Sequence, residues 1–247
     1  DSLHQSNAAL AQFAYIASHD LQEPLRKVTT FTQMLENHLG TLDERAKNYF
    51  EKIRSSSSRM LTLIRDVLAY SELSNLEQSH EMVDLEQVIE DVKTDFELLI
   101  TEKKATVKTK DLPVIKAIPL HMSQLFANLI SNALKFAKTG VNPEVTITSS
   151  VLSEKEKTNY PSLDPSATYY KIEVKDNGIG FNEEYAEQIF NIFQRLHGKK
   201  QYEGTGIGLA MCQRIVHNHR GAIYARSEPG KGSSFVVLLP AKQREVR

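Results

Sequence analysis

The sequence predicts an α+β protein of two domains, an antiparallel helical hairpin over residues 1–77 followed by an α/β sandwich over 83–241. Three observations carry this. The length, 247 residues, exceeds the usual size of a single domain. The hydrophobic period changes, from three-and-four spacing in the first part to short alternating runs interleaved with helical ones in the second. Chain breakers divide the same way. Between residues 3 and 77 the only glycine is Gly40 and the only proline is Pro24.

In the first half, apolar positions recur at Leu10, Phe13, Ala17, Leu21, Pro24/Leu25, Val28, Phe31, Leu35 and Leu39, a heptad seam. A second seam runs Ala46, Tyr49, Ile53, Ser56, Met60, Ile64 and Val67. Between them, Gly40-Thr41-Leu42-Asp43 supplies a helix stop and a new cap. Two long helices joined by so short a loop form an antiparallel hairpin. One hairpin buries only one face of each helix, so a second copy is expected to complete a dimeric four-helix bundle.

After a polar stretch from Ser74 to Met82, helical periodicity spans Leu85–Ile100 and alternation marks Ala105–Lys108 and Val114–Ala117. A helix is expected over Leu120–Lys138, then strands at Glu144–Leu152 and Tyr169–Lys175. The last elements are a helix at Ile207–His219 and strands at Ala222–Ser227 and Ser233–Leu239, closed by a hairpin around Pro229-Gly230. Ser153–Ala167, polar and with two prolines, is expected to be a solvated excursion.

Composition narrows the function classes. Hydrophobic residues at 40% and charged residues at 25% suit a globular protein with a core. A net charge of -1 gives no sign of a nucleic-acid partner or an anionic membrane. No apolar run approaches the roughly 20 residues needed to span a bilayer, the longest clear one being Phe235–Leu239. No signal-peptide pattern is present. The start at Asp1 suggests a portion of something longer. The single cysteine, Cys212, fits a reducing cytoplasm and is expected to be a buried apolar residue.

His19 stands two residues from both Ala17 and Leu21 of the first seam, about 200° of helical rotation from each, so it points away from the bundle core. Asp20, Gln22, Glu23 and Pro24 surround it in sequence. An outward imidazole beside a carboxylate is a sound nucleophile, because the carboxylate accepts the ring proton and leaves a lone pair on the other nitrogen. An ordinary solvent-facing histidine would have the same placement.

Three stretches of the second half have nucleotide-binding chemistry. Asn128 and Asn132 lie four apart on one helix face, with Lys135 three further on. Side-chain oxygens suit a hard cation such as Mg²⁺, and an ammonium suits phosphate. DNGIG, Asp176–Gly180, follows a strand and offers a carboxylate to an exocyclic amine, with Gly178 and Gly180 letting backbone approach a flat ring. GTGIGL, Gly204–Leu209, opens a helix whose N-terminal amides favour phosphate. It matches neither the dinucleotide fingerprint nor the Walker loop.

FAYIASHDLQEPLRKV, residues 13–28, resembles the phosphoacceptor box of sensor histidine kinases, above all the phytochrome-like and PAS-linked members. NLISNALKFA, DNGIG, IFNIFQRLH and GTGIGL, in that order, resemble the asparagine, glycine and phenylalanine motifs of their ATP-binding domains. The resemblance covers residues 3 to 240. It implies a Bergerat-type sandwich and a kinase that uses ATP and Mg²⁺ to phosphorylate His19, with Asp20 assisting. It further implies that Asn132 ligates Mg²⁺, Asn128 lies beside it, Lys135 contacts phosphate and Asp176 reads the adenine amine. Gly178 and Gly180 would shape the base pocket. Phe190 and Phe193 would anchor a lid over Gln194–Glu203, and Arg195 would reach toward the transferring phosphate. Gly204, Thr205, Gly206, Gly208 and Leu209 would form the phosphate end.

The implied partners are a second copy of the chain, the receiver domain of a response regulator docking near Val28 and Phe31, and a sensory module upstream. The implied location is a cytoplasmic portion of the full-length protein. Glu23 departs from the pattern, since many relatives carry threonine or asparagine there to position water for dephosphorylation, and this leaves phosphatase activity in doubt. A chaperone-like ATPase clamp and a non-catalytic nucleotide-binding scaffold are the rival readings. The other histidines (His4, His38, His80, His121, His197, His217 and His219) match no motif and are expected to be structural or solvent-facing.

Overall fold

A computed structural model of the protein describes residues 2–40, 42–73, 79–196 and 204–242, with side chains from Asp20 onward in the first helix. Two compact units divide the chain, Asp1–Leu76 and Glu77–Arg247.

The first unit is a helical hairpin. Helix α1 (Ser2–Leu39) runs through Pro24 and stops at Gly40, whose φ of 65° is the left-handed value a helix terminator adopts. Helix α2 (Glu44–Glu72) begins at Asp43, whose carboxylate accepts the N–H of Ala46 at 2.7 Å. Across the hairpin, Arg54 Nη1 lies 3.7 Å from Glu36 Oε2. Ser57 is buried, while Leu25, Thr29, Thr32 and Glu36 are half-buried. The hairpin does not consume the heptad seams. Phe31, Leu35, Leu39, Tyr49, Ile53 and Met60 remain 44 to 65% exposed.

The second unit is built on a five-stranded sheet: β2 (Thr106–Lys110), β4 (Glu144–Val151), β5 (Tyr169–Asp176), β6 (Ala222–Glu228) and β7 (Gly232–Pro240). Its spatial order is β2-β4-β5-β7-β6, with β2 and β4 parallel and every other pair antiparallel. Strands β1 (Glu81–Asp84) and β3 (Val114–Ala117) make a separate antiparallel pair. Helices α3 (Leu85–Asp95), α5 (Pro119–Lys135) and α7 (Gly208–Asn218) pack in a row, α5 in the middle. Their apolar faces bury Ile89, Met122, Leu125, Phe126, Leu129, Ile130 and Ile215. The core-facing side of the sheet supplies Ile147, Ile172 and Val237, side chains that stand opposite one another or in alternate register across the strands.

Several boundaries differ from the sequence expectation. The helical run Leu85–Ile100 breaks at Phe96 into α3 and the short α4 (Glu97–Glu102). The helix expected to reach Lys138 starts at Pro119, which tolerates the first position because its missing N–H has no partner there, and ends at Lys135. Strand β1 begins inside the stretch taken as polar and contributes one buried side chain, Val83.

The segment after β4 is not simply solvated. It carries a one-turn helix, α6 (Glu154–Lys157), opened by a capping box between Ser153 and Glu156. It then buries Leu163 against Leu152, Tyr169, Val236 and Leu238 on the sheet face opposite the helices. Tyr160 meets Tyr224 at 5.0 Å between ring centroids. The Tyr169 hydroxyl accepts the N–H of Asp164 and donates to the Arg220 carbonyl. With both faces covered, β7 reads as the continuous apolar run Phe235–Leu239 rather than as an alternation. No helix among the described residues is long and apolar enough to cross a membrane.

Candidate functional site

The apolar stripe of α5 fixes which of its side chains can face a ligand. Leu125, Phe126, Leu129 and Ile130 point into the core, which turns Asn128, Asn132 and Lys135 to the opposite, half-buried face. Asn128 Nδ2 lies 3.6 Å from Met211 Sδ on α7. The Asn128 amide oxygen is so close to the start of α7 that a Cβ on Gly208 would come within 3.0 Å of it. A Cβ on Gly204 would likewise stand 2.6 Å from Lys135 Nζ. The asparagine face of α5 and the glycine-rich segment before α7, some seventy residues later in the sequence, therefore form one wall.

Helix α7 starts with Ile207 at its cap position, a residue that makes no side-chain cap bond to the first amides. The N-terminal N–H groups and the helix dipole at Gly208 are thus directed at the same space as the Lys135 ammonium. Lys135 Nζ also sits 4.6 Å over the Phe136 ring.

Phe136 ties this wall to DNGIG. Its carbonyl accepts the Ile179 N–H at 2.9 Å, and a Cβ on Gly178 would collide with that carbonyl at 2.6 Å. Asp176 ends β5 with its carboxylate turned back over the loop. Oδ1 accepts the Gly178 N–H at 2.7 Å and the Ser233 N–H at 3.2 Å. Burial raises the pKa of this carboxyl, and those two amides together with the Lys138 charge act against the rise. Gly180 has a φ of 65° and approaches the Glu228 carbonyl so closely that a Cβ would lie 2.1 Å from it. No other residue type fits there.

Phe190 is buried, whereas Phe193 is 56% exposed and holds a left-handed φ of 66°. Its N–H donates to the Gly206 carbonyl at 3.0 Å, joining the phenylalanine segment to the glycine loop. Arg195, Thr205 and Leu209 are half-buried on those two segments. Residues 197–203, which include most of the expected lid and its Lys199-Lys200 pair, lie outside the described residues. So does the His19 side chain, although its backbone is helical within α1. Asp20 is exposed. Glu23 pairs with Lys27, Oε1 to Nζ 2.7 Å.

The structure thus brings Asn128, Lys135, Gly204 and Gly208 together, Asp176 and Gly178 against Phe136, and Phe193 against Gly206. Sequence reasoning missed Phe136, Ser233 and Met211. The first two act through backbone atoms, which no residue-type signal marks, and Met211 looks like any core position of α7.

Residues 117–243 match the family described as histidine kinase-, DNA gyrase B-, and HSP90-like ATPases, and residues 9–76 match the His Kinase A (phospho-acceptor) domain. Phytochrome-like protein Cph1 of Synechocystis is 37% identical over 97% of this chain and 30% of its own length. Cyanobacterial phytochrome A of Nostoc is 36% identical over 98% of the chain and 30% of its own length. The chain therefore spans about a third of the curated relatives it matches. Among solved structures, full-length ShkA in complex with AMPPNP aligns with a TM-score of 0.68 and 25% identity, covering 95% of this chain and 47% of that one.

Proposed function

Because the chain belongs to the histidine kinase-, DNA gyrase B-, and HSP90-like ATPases and carries a His Kinase A phospho-acceptor domain ahead of that fold, we propose that it transfers the γ-phosphoryl group of ATP to His19. It then passes that group to an aspartate on a receiver domain. The carrying observation is the wall on which Asn128, Lys135 and the Gly204–Gly208 segment meet, one loop away from a carboxylate held by two amides. One part suits a polyphosphate, the other a purine amine.

Each residue has a defined task in this reading. Asp176 accepts from the exocyclic amine of adenine, while Gly178 and Gly180 keep the floor of the base pocket flat. Lys135 and the first amides of α7 neutralise phosphate charge. The Asn132 amide oxygen would hold Mg²⁺, a hard cation suited to an oxygen ligand. Bound Mg²⁺ supplies charge neutralisation and polarisation at the phosphates. Phe190 and Phe193 anchor the lid, and Arg195 is directed toward the transferring phosphate. In this reading an unprotonated ring nitrogen of His19 attacks the γ-phosphorus, the bond to the bridging oxygen breaks so that ADP leaves, and Asp20 takes the ring proton. The protein's contribution is position and charge rather than covalent chemistry of its own.

Exposed Phe31, Leu35, Tyr49 and Ile53 support a homodimer through a four-helix bundle. The chain spans 30% of the phytochrome-like proteins it matches, and a sensory module upstream of the hairpin is part of this proposal. Incubation with γ-labelled ATP and Mg²⁺ tests the reading. A label on the protein that survives alkali and is lost in acid has the stability of a phosphoramidate. An acid-stable label, or none, contradicts it.

A further inference from the structure

Ser227, near the end of β6, carries a hydroxyl with every hydrogen-bonding position filled. Its Oγ accepts the Phe181 N–H at 2.9 Å and donates to the Gly232 carbonyl at 2.9 Å, and the Ser233 hydroxyl lies 3.0 Å away as its second donor. Its backbone N–H donates to Glu183 Oε2 at 2.7 Å. Phe181 closes the loop that begins at Asp176. Gly232 and Ser233 open β7, and the Ser233 N–H is one of the two amides on Asp176 Oδ1. One side chain outside the glycine motifs therefore clamps both structures that hold the carboxylate. A backbone hydrogen bond, Gly230 N–H to the Ile179 carbonyl at 2.7 Å, also links this loop to the hairpin turn.

We propose that Ser227 is a specificity-determining positioning residue: its hydroxyl keeps the Gly178 and Ser233 amides on Oδ1 of Asp176, so that Oδ2 is presented to the exocyclic amine of the purine. This rests on the reading of the pocket as an adenine nucleotide site. Removing the hydroxyl leaves the part-buried Phe181 N–H and the Gly232 carbonyl without their partner, a loss the two segments can relieve only by moving apart. The carboxylate then loses its fixed direction, and what suffers is the recognition of the amine rather than phosphate binding, which Lys135 and α7 perform on the far wall.

The test compares binding of ATP with that of purine riboside triphosphate, which lacks only the amine, to the whole chain. Wild type is expected to prefer ATP by about tenfold or more, the size of a well-made hydrogen bond to a charged group. Ser227→Ala should narrow that ratio to within roughly threefold, chiefly through weaker ATP binding. Ser227→Thr, which keeps the hydroxyl, should restore it. A purely structural role would weaken both nucleotides alike and leave the ratio unchanged, and that result overturns the inference while leaving the nucleotide site intact. Failure of wild type itself to distinguish the two ligands would instead bring down the reading of Asp176, and this inference with it. Should Ser227→Ala fail to fold, Ser227→Cys keeps the volume with a weaker donor and carries the same comparison.

Discussion

The Nε2 of His219 accepts the backbone N–H of Ile118 at 3.1 Å, joining the end of α7 to the cap residue of α5. Nδ1 of the same ring lies 2.8 Å from the Ile215 carbonyl, so the neutral imidazole is satisfied at both nitrogens. The rings of His80 and His121 stand edge-on to it at 5.4 and 5.6 Å, and Lys116 and Arg220 bear on His80. Protonating Nε2 would set two donors face to face.

Burial is the main cause that lowers the His219 pKa from 6.5 to about 4. The unfolded chain therefore takes up this proton at a higher pH than the folded one. The stabilisation is complete above pH 6.5 and is lost on acidification between 6.5 and about 4, by about 3 kcal/mol in all. Urea unfolding of the whole chain at pH 7.5 and pH 4.5 should show this decline, and His219→Gln should flatten it. Equal pH dependence in both proteins would remove His219 as its source.

Asp176→Asn should abolish most of the preference for ATP over GTP, because the amide can donate to the guanine carbonyl where a carboxylate can only accept. Competition binding measures it. Unchanged selectivity would mean that the base pocket lies elsewhere.

The Glu23 carboxylate is engaged by Lys27 at 2.7 Å, at a position where the resemblance to histidine kinases implies a water-positioning amide or hydroxyl. We expect weak or absent phosphatase activity toward the phosphorylated receiver. The assay incubates a phosphorylated receiver domain with the protein and ADP, comparing wild type with Glu23→Thr. Rapid dephosphorylation by wild type, undiminished in His19→Gln so that back-transfer is excluded, would refute this.

The hairpin's exposed stripe gives a separate prediction. Phe31→Asp together with Ile53→Asp should convert a dimer into a 27.9 kDa monomer in sedimentation while leaving ATP affinity within about threefold. A monomeric wild type would contradict it.

Much of this was legible in the sequence, for definable reasons. Helix α1 and the seams show because long amphipathic periodicity survives any tertiary context. Asp43 and Gly40 announce the turn through cap chemistry. The glycine motifs show because backbone approach excludes other residues. The excursion after β4 did not show: Tyr160, Leu163 and Tyr169 are too sparse for any period, and only the opposite face of β7 explains their burial. The histidine cluster was invisible for a similar reason, since His80, His121 and His219 come from three distant segments. The carboxylate of Asp176 was found, but its holders were not, because Gly178 and Ser233 act through backbone N–H groups.

The most direct test of the central claim labels wild type and His19→Gln with γ-labelled ATP while measuring the ATP affinity of each. Acceptor and pocket belong to separate compact units, so the account predicts complete loss of the acid-labile label in the variant, with affinity within about threefold of wild type. Acid-labile label retained on His19→Gln would contradict it.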